Sequence, residues 1–338
     1  MTASRHGCTG IRALGVLAML ATPLFGHAAP QITVGVVNWI GYGPLYVAAA
    51  NGYYRKYGPD VKLVTFTDNS LMSGALEGGE LDSSTLTYDQ VIIAAAKGWH
   101  LKVVMPVDYS VGGDAIVAGT AVRAVKDLKG HKVAFQPLSP SNFLLSYALS
   151  LSGLSESDVK AINSTPEGVV QILATGSADV GVTYQPNVST LLKLADGKRF
   201  HVLYSSRDAK GLITDVLVLK QSTLTGKPKL ADGLIRGTLD GLAFMQHEPA
   251  KAAAIIAKAL DVTPADVAQQ LSNIENPALP HLGDVFRKAD ALPSFQASGQ
   301  VIGAILKKEH QITALPPIET TFDASFVAAI QAHPGDLQ

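Results

Sequence analysis

The sequence predicts an α/β protein of two lobes with a ligand cleft between them. Three observations support this prediction. The 338 residues exceed the size at which one hydrophobic core remains efficient. Strand-length apolar segments alternate with helical patterns through the first two thirds of the chain. Two stretches, 115–119 and 211–219, stand where the chain could leave one lobe and later return to it, and ligands commonly bind between such lobes.

The N-terminus has the pattern of a secretory signal peptide. Arg5 and Arg12 come before the apolar run LGVLAMLATPLFG, and small residues follow at Gly26, Ala28 and Ala29. The run is too short to span a bilayer comfortably. We therefore predict cleavage after Ala28 or Ala29; a buried first helix is the alternative interpretation.

The position of the single cysteine bears on export and on chemistry. Cys8 lies before the apolar run and not just after it, so it does not match the lipid-bearing cysteine of a lipoprotein. A mature chain without cysteine has no disulfide, thiolate nucleophile or cysteine metal site. The sequence therefore predicts an exported, soluble protein without a lipid anchor.

Composition and motif content argue against several function classes. The chain has 27 basic and 28 acidic residues, a net charge of −1, which gives no bias toward nucleic acid or acidic membranes. The nine histidines are dispersed without a helical pair, which disfavours a metal site. No nucleophile-elbow, phosphate-loop or dinucleotide motif occurs. We therefore expect no cofactor, no metal and no catalysis.

The first predicted element is a strand that leads through an open turn into a helix. The strand ITVGVV covers 32–37, and the turn WIGYGP follows it. Gly41 and Gly43 permit close approaches that a Cβ would prevent, and Pro44 suits the first helical position. A single apolar stripe is predicted to face inward along this helix, formed by Leu45, Ala49, Tyr53 and Tyr57.

The remaining elements alternate in the same way. Further strands are predicted at 60–66, 101–107, 114–118, 131–135, 199–204 and 213–219. Helices are predicted at 70–78, 87–97, 141–152, 165–174 and 186–194, and the chain becomes mainly helical from 229 onward. Such alternation is typical of mainly parallel sheets covered by helices.

An ordered set of segments resembles periplasmic solute-binding proteins of the nitrate/sulfonate/taurine class, which are related to thiamine-pyrimidine binding and synthesis proteins. The segments are WIGYGPLYVAAANGYYRKYG, ALEGGELDSSTLTYDQ, YSVGGDAIVA, DLKGHKVAF, SPSNFLLSYALSLSGLSESDV and ILATGSADVGVTYQPNV. The resemblance covers about 31–260 and is weaker in the C-terminal helices.

The resemblance implies a type II periplasmic binding protein fold, location in the periplasm, and capture of a small solute for the membrane permease of an ABC importer. We expect a signal peptide at 1–29, a first lobe formed by 30–118 and 213–338, and a second lobe at 119–212. A monomer is expected. The cysteine-rich motif of the related pyrimidine synthases has no counterpart here.

In the first lobe, the candidate ligand-binding residues follow strand ends. Trp39 and Tyr42 flank the open turn, and their alternative role is packing between the lobes. Thr85, Thr87 and Tyr88 stand at the start of another helix. Hydroxyl groups at such a position bind solute or cap the helix.

In the second lobe, the candidates surround a helix start. Ser139, Ser141 and Asn142 stand beside Pro140 before an apolar helix. They either cap this helix or contribute to a site for an anion or carbonyl group. Tyr184 ends a strand, and the resemblance implies that an aromatic residue here faces the cleft.

Two carboxylates occur in apolar surroundings. Asp114 follows two glycines at the first crossing, and Asp215 lies within the strand that returns. A buried carboxylate requires a partner, which is either a backbone N–H or lysine at the hinge, or an ammonium or amidine group on the ligand. Together with the helix starts, these residues suggest a ligand that is polar at both ends.

The expected function is capture of a small polar solute that contains nitrogen or sulfur. Two alternatives stay open at this point. One is a sensory module that presents its loaded form to a chemoreceptor or sensor kinase. The other is an exported enzyme of the same fold.

Overall fold

The computed structural model describes residues 1–4, 7, 31–335 and 337. The predicted signal-peptide core and its cleavage site lie outside these residues. Within the described chain, no helix is both long and apolar enough to cross a membrane.

Eleven strands form two sheets in the described residues. They are β1 (Gln31–Val36), β2 (Asp60–Thr65), β3 (Ser83–Thr87), β4 (Leu101–Ser110), β5 (Asp114–Gly119), β6 (Lys132–Phe135), β7 (Lys160–Asn163), β8 (Val180–Tyr184), β9 (Phe200–Ser205), β10 (Thr214–Lys220) and β11 (Ile274–Glu275). The first sheet has the order β11-β4-β10-β3-β1-β2, and the second has the order β7-β6-β8-β5-β9.

Helices cover both sheets. They are α1 (Gly43–Asn51), α2 (Tyr53–Lys56), α3 (Asn69–Gly78), α4 (Tyr88–Ala96), α5 (Pro140–Leu151), α6 (Pro166–Ala174), α7 (Asn187–Lys193), α8 (Gln221–Gly226), α9 (Pro228–His247), α10 (Pro249–Leu260), α11 (Pro264–Leu271), α12 (Phe295–Lys308) and α13 (Ser325–Ala332). Helix α12 packs against α4 and also against α5, so it contacts helices that flank both sheets.

Both sheets are mixed, so the prediction of mainly parallel sheets is wrong. β1 is parallel to β2 and β3, and β6 is parallel to β7 and β8. The exceptions are the two strands nearest the crossings and the short edge strand β11, which runs antiparallel to β4. β10 runs antiparallel to β3 and β4, and β5 runs antiparallel to β8 and β9. A chain that crosses between sheets and returns can place these two strands centrally with their direction reversed.

The position of the first crossing is earlier than the sequence pattern suggests. β5 pairs with β8 and β9, so the chain leaves the first sheet between Ser110 and Asp114. The lobe boundary predicted at residue 118 lies inside β5. The chain rejoins the first sheet at Thr214, where β10 begins.

The single stripe predicted along the first helix is wrong. Gly52 adopts a left-handed conformation with φ of 72° and separates α1 from α2. This break changes the direction in which later side chains point. Leu45 is buried as expected, but Ala49 and Tyr53 are only partly buried and the next fully buried tyrosine is Tyr54.

Candidate functional site

A small cavity lies between the two sheets. Its free volume is about 10 Å³, which is the room that a single water requires. The residues that line it are Val37, Trp39, Tyr42, Asn69, Thr85, Thr87, Gln90, Asp114, Pro140, Tyr184 and Asp215. Asp114, Pro140 and Tyr184 belong to the second sheet or its helices, and the others to the first. A solute larger than water can therefore enter only if these walls move apart.

Trp39 occupies one wall of the cavity and is anchored by a buried carboxylate. Its indole Nε1 donates to Asp108, at 3.2 Å from Oδ1 and 3.1 Å from Oδ2. The ring fits because two neighbours lack side chains. A Cβ on Gly41 would stand 2.3 Å from Nε1, and one on Gly113 would stand 2.5 Å from Cη2. The elaborate turn after β1 therefore makes room for the indole and its bond to Asp108.

The two aromatic rings of Trp39 and Tyr184 meet across the cavity. Their centroids are 5.6 Å apart and their planes are at 85°, an edge-to-face contact. Tyr184 is the last residue of β8 in the second sheet. This contact joins the walls that come from the two sheets.

Tyr42 binds the second buried carboxylate of the first sheet. Its hydroxyl donates to Asp215 Oδ1 at 2.5 Å. Burial raises the pKa of Asp215 well above its ordinary value, and the nearby Asp108 raises it further, whereas the bond from Tyr42 lowers it. Burial likewise raises the pKa of Tyr42, so this residue remains a hydrogen-bond donor at neutral pH.

Two buried aspartates, Asp114 and Asp215, line the cavity, and two more, Asp89 and Asp108, are close enough to affect them electrostatically. Burial raises the pKa of Asp114 to about 7 and that of Asp89 to about 6. Burial also raises the pKa of Asp108 well above its usual range, although Trp39 opposes this shift. No Lys, Arg or His is present among the residues that line the cavity. The described residues contain no cluster of three or more acidic, histidine or cysteine side chains suited to a metal ion.

A polar network closes the cavity between the lobes. Asn69 Nδ2 at the start of α3 donates to Gln136 Oε1 at 2.7 Å and to the Tyr184 hydroxyl at 3.0 Å. Gln136 Nε2 donates back to Asp68 Oδ1 at 2.9 Å. Gln90 Nε2 donates to the Asn69 carbonyl oxygen at 3.0 Å. These bonds connect the first lobe to the second in the closed arrangement.

Of the other candidates in the first lobe, two line the cavity and one does not. Thr85 and Thr87 line the cavity, and their hydroxyls donate to the Gly35 carbonyl and to Gln90 Oε1. Tyr88 does not line the cavity. Its ring stacks on Phe295 with centroids 4.0 Å apart, and its hydroxyl bonds to Thr321 at 2.9 Å. Tyr88 thus anchors α4 to the C-terminal helices.

The candidates at the start of α5, Ser139, Ser141 and Asn142, do not line the cavity, although the neighbouring Pro140 does. The Ser139 hydroxyl caps the helix by accepting from the Asn142 N–H at 3.4 Å. The Asn142 side chain accepts from the Leu138 N–H and donates to Glu156. Ser141 Oγ is buried and has no hydrogen-bond partner among the described residues.

Sequence reasoning missed Asp108, Asn69, Gln90 and Gln136. Asp108 follows the apolar segment LKVVMPV directly, which is the signal that singled out Asp215. Asn69 stands in the segment TDNS before a helix, a typical capping context. No local pattern distinguishes Gln90 or Gln136, because their role depends on the other lobe.

Comparison with known proteins identifies the class. The NMT1/THI5-like family matches residues 39–252, so this chain belongs to that family. Among curated relatives, the taurine-binding periplasmic protein of Escherichia coli is 24% identical over 229 residues, covering 67% of this chain and 69% of the relative. A putative binding protein of Brucella abortus is 21% identical over 238 residues, covering 70% and 74%.

Solved structures share the fold. The periplasmic aliphatic sulphonate binding protein SsuA from Escherichia coli has a TM-score of 0.68 at 19% identity, covering 87% of this chain and 98% of that one. The desulfurization enzyme DSZB has a TM-score of 0.63 at 12% identity, covering 90% and 100%. These matches confirm the predicted α/β periplasmic binding protein fold.

Proposed function

We propose that this protein captures a small polar solute in the cavity between its lobes and presents it to the permease of an ABC importer. The observation that carries the proposal is that the cavity walls come from both sheets and meet through Tyr184. That residue contacts Trp39 and Asn69 of the other lobe. Site residues arranged in this way bind a solute and close around it at the same time.

The relatives support this proposal. Their names include taurine-binding and aliphatic sulfonates-binding proteins, and one structural neighbour is the ligand-binding component of an ABC-type import system. We therefore expect a nitrogen- or sulfur-containing solute and a protein exported to the periplasm.

The mechanism follows from the size of the cavity. Because the closed arrangement has room for about one water, the solute binds when the lobes are apart. Contacts to both walls then stabilise the closed state, which is a shift in population driven by the better fit of that state. Closure brings surfaces of the two lobes together, and the permease recognises the combined surface of the closed form.

An exported enzyme is the second candidate. It is favoured by the likeness to DSZB and by the raised pKa of Asp114, since such shifts also occur in acid–base catalysis. Incubation of each bound solute with the purified protein, followed by mass spectrometry, separates the two candidates. Unchanged solute after many binding half-lives supports capture, whereas conversion supports catalysis.

Binding can be measured through the two tryptophans of the chain. Trp39 lines the cavity, whereas Trp99 lies apart from it, with the Lys97 amine 5.0 Å from its ring centre. In Trp99→Phe the tryptophan fluorescence comes from Trp39 alone, and we expect a saturable change in it with taurine, an alkanesulfonate, nitrate or an aminopyrimidine. The matched control Trp39→Phe retains Trp99 and should show no such change.

A thermal-shift assay provides the independent readout. A solute at 100 times its Kd stabilises the folded state by roughly 2.7 kcal/mol. If no solute of the panel changes either the fluorescence or the melting temperature, solute capture at this cavity is contradicted.

A further inference from the structure

The cavity presents carboxylates from both lobes. Asp114 begins β5 in the second sheet, and Asp215 lies in β10 of the first. Both line the cavity and are only 2% and 3% exposed. Asp108 is directly opposite Asp215 on the neighbouring strand. Such a group of buried carboxylates is costly unless positive charge or protons balance it.

Asp215 has an oxygen available for a ligand. Oδ1 accepts the hydrogen bond of Tyr42, but Oδ2 has no donor among the described residues. Asp108 differs, because both of its oxygens lie within hydrogen-bonding distance of Trp39 Nε1. Of this pair of carboxylates, Asp215 lines the cavity and is also the one with an oxygen that contacts no donor among the described residues.

Most of the groups that could hold an anion are already engaged; the exceptions among the described residues are the Tyr184 hydroxyl, which accepts from Asn69, and the start of α1, which has no side-chain cap. Trp39 donates to Asp108, and Tyr42 donates to Asp215. The N-terminus of α5 is capped by Ser139, and Thr87 and Gln90 form a capping box at α4. An anionic group would thus find few free donors and would approach carboxylates instead.

The aromatic walls suit positive charge as well. Trp39, Tyr42 and Tyr184 line the cavity beside the carboxylates. Aromatic faces attract ammonium and guanidinium groups, and more strongly in a desolvated site.

We propose that the solute carries a cationic group, such as an ammonium, an amidinium or a protonated aminoheterocycle, and that Asp215 and Asp114 hold it from the two lobes. This inference rests on the proposed solute-binding function and specifies its ligand class. A plain inorganic anion or an alkanesulfonate without an amino group does not satisfy it.

Proton exchange gives the proposal a second signature. The titratable groups in and near the cavity are four aspartates and two tyrosines: Asp89 on α4, Asp108 on β4, Asp114 on β5, Asp215 on β10, Tyr42 and Tyr184. The negative charge of Glu167 on α6 also raises the pKa of Tyr184. Burial favours their protonated forms. A cation bound between Asp114 and Asp215 favours the ionised forms, so binding should release protons, whereas binding of an anion should take protons up.

The test uses matched solutes of similar shape that differ in whether they carry a cationic group. The panel compares taurine with isethionate and ethanesulfonate, benzamidine with benzamide and benzoate, and choline with 3,3-dimethylbutanol, and it includes nitrate. Calorimetry in two buffers of different ionisation enthalpy then gives the number of protons exchanged. We expect a member with a cationic group to bind at least about 30-fold more tightly than its counterpart without that group, with proton release.

Three outcomes are distinct. Preference for a cationic member with proton release supports the proposal. Equal or tighter binding of the neutral isostere, ethanesulfonate or nitrate overturns it and leaves solute capture intact. No binding by any member contradicts solute capture itself and this inference with it.

Asp215→Asn and Asp114→Asn test the carboxylates individually. Each should weaken the cationic member at least about 30-fold and leave its neutral isostere within about threefold. The control Asp158→Asn removes a carboxylate at the surface beside Lys129 and should change neither. Equal loss of both members of a pair would assign Asp215 and Asp114 to the architecture of the hinge and overturn the proposal.

Discussion

Asp108 and Asp215 are directly opposite each other on the antiparallel strands β4 and β10, and both are buried. Each accepts a hydrogen bond from an aromatic side chain of the same short turn. Trp39 donates to Asp108, and Tyr42 donates to Asp215. The turn after β1 thus supplies one donor to each member of a carboxylate pair. Two like groups so close together do not both ionise readily in a buried site.

The bond between Trp39 and Asp108 should contribute to stability. Trp39→Phe retains a ring but removes the donor, so Asp108 loses its partner and unfolding should become easier by about 1–3 kcal/mol. Asp108→Asn in the same background should restore part of this loss, because the buried group no longer carries a carboxylate. Urea denaturation of the two single variants and the double variant measures the coupling. Strictly additive effects would show that the two side chains act independently.

Stability should decrease as the pH rises from about 4 to 7. Burial raises the pKa of Asp114 from 3.8 to about 7, and an unfolded aspartate has a pKa of about 3.9. Between these values the folded state binds more protons than the unfolded state, so the free energy of unfolding falls with rising pH. For Asp114 alone the change is on the order of 2–4 kcal/mol.

Denaturation curves at half-unit pH intervals measure this dependence. Asp114→Asn should flatten it, and the remaining slope should come from Asp89, Asp108 and Asp215, whose pKa values are raised in the same direction. A free energy of unfolding that rises between pH 5 and 7 would contradict the assignment.

The network around Gln136 should hold the lobes together. Gln136→Ala removes its bonds to Asn69 and Asp68, and we expect the solute affinity to fall by about 1–2 kcal/mol because closure becomes less favourable. Small-angle X-ray scattering without solute should show a larger radius of gyration. Gln171→Ala, at an exposed position on α6, is the matched control. An unchanged radius and affinity in Gln136→Ala would assign no closing role to these bonds.

Export should remove the N-terminal segment. The secreted protein is expected to begin at Ala29 or Pro30 and to carry no lipid, because Cys8 lies within the removed part. Intact-mass and N-terminal peptide analysis of protein from the producing cell checks this. A mature chain that retains Cys8, or one with an acylated terminus, would show that the prediction is wrong.

Local patterns were sufficient to predict most elements. The strands at 60–66, 114–118 and 199–204 were placed within one residue of β2, β5 and β9, because apolar runs bounded by turn residues depend on nearby sequence alone. The direction of β5 and β10 could not be predicted in this way. Strand direction within a sheet depends on partners distant in the chain, and the crossing reverses it.

The site could be predicted in part for the same reason. The structure brings Trp39, Tyr42, Tyr184 and the two crossing aspartates to one cavity, and each of them stands at a strand end or in an apolar strand. Ser139 and Asn142 carry the same local signal, yet their side chains are used within the second lobe. Whether a polar residue at a helix start meets a ligand or caps its own helix is decided by packing that the local sequence does not contain.

Gly113 has a mechanical consequence. It stands at the first crossing, where the space for its missing side chain is taken by Trp39 of the opposite lobe and, at 3.1 Å, by Ile274. Residue 113 therefore limits how closely the two lobes can approach each other. A larger side chain at this position would keep the lobes farther apart, so the angle between the lobes can be altered at a residue that is not among those that line the cavity.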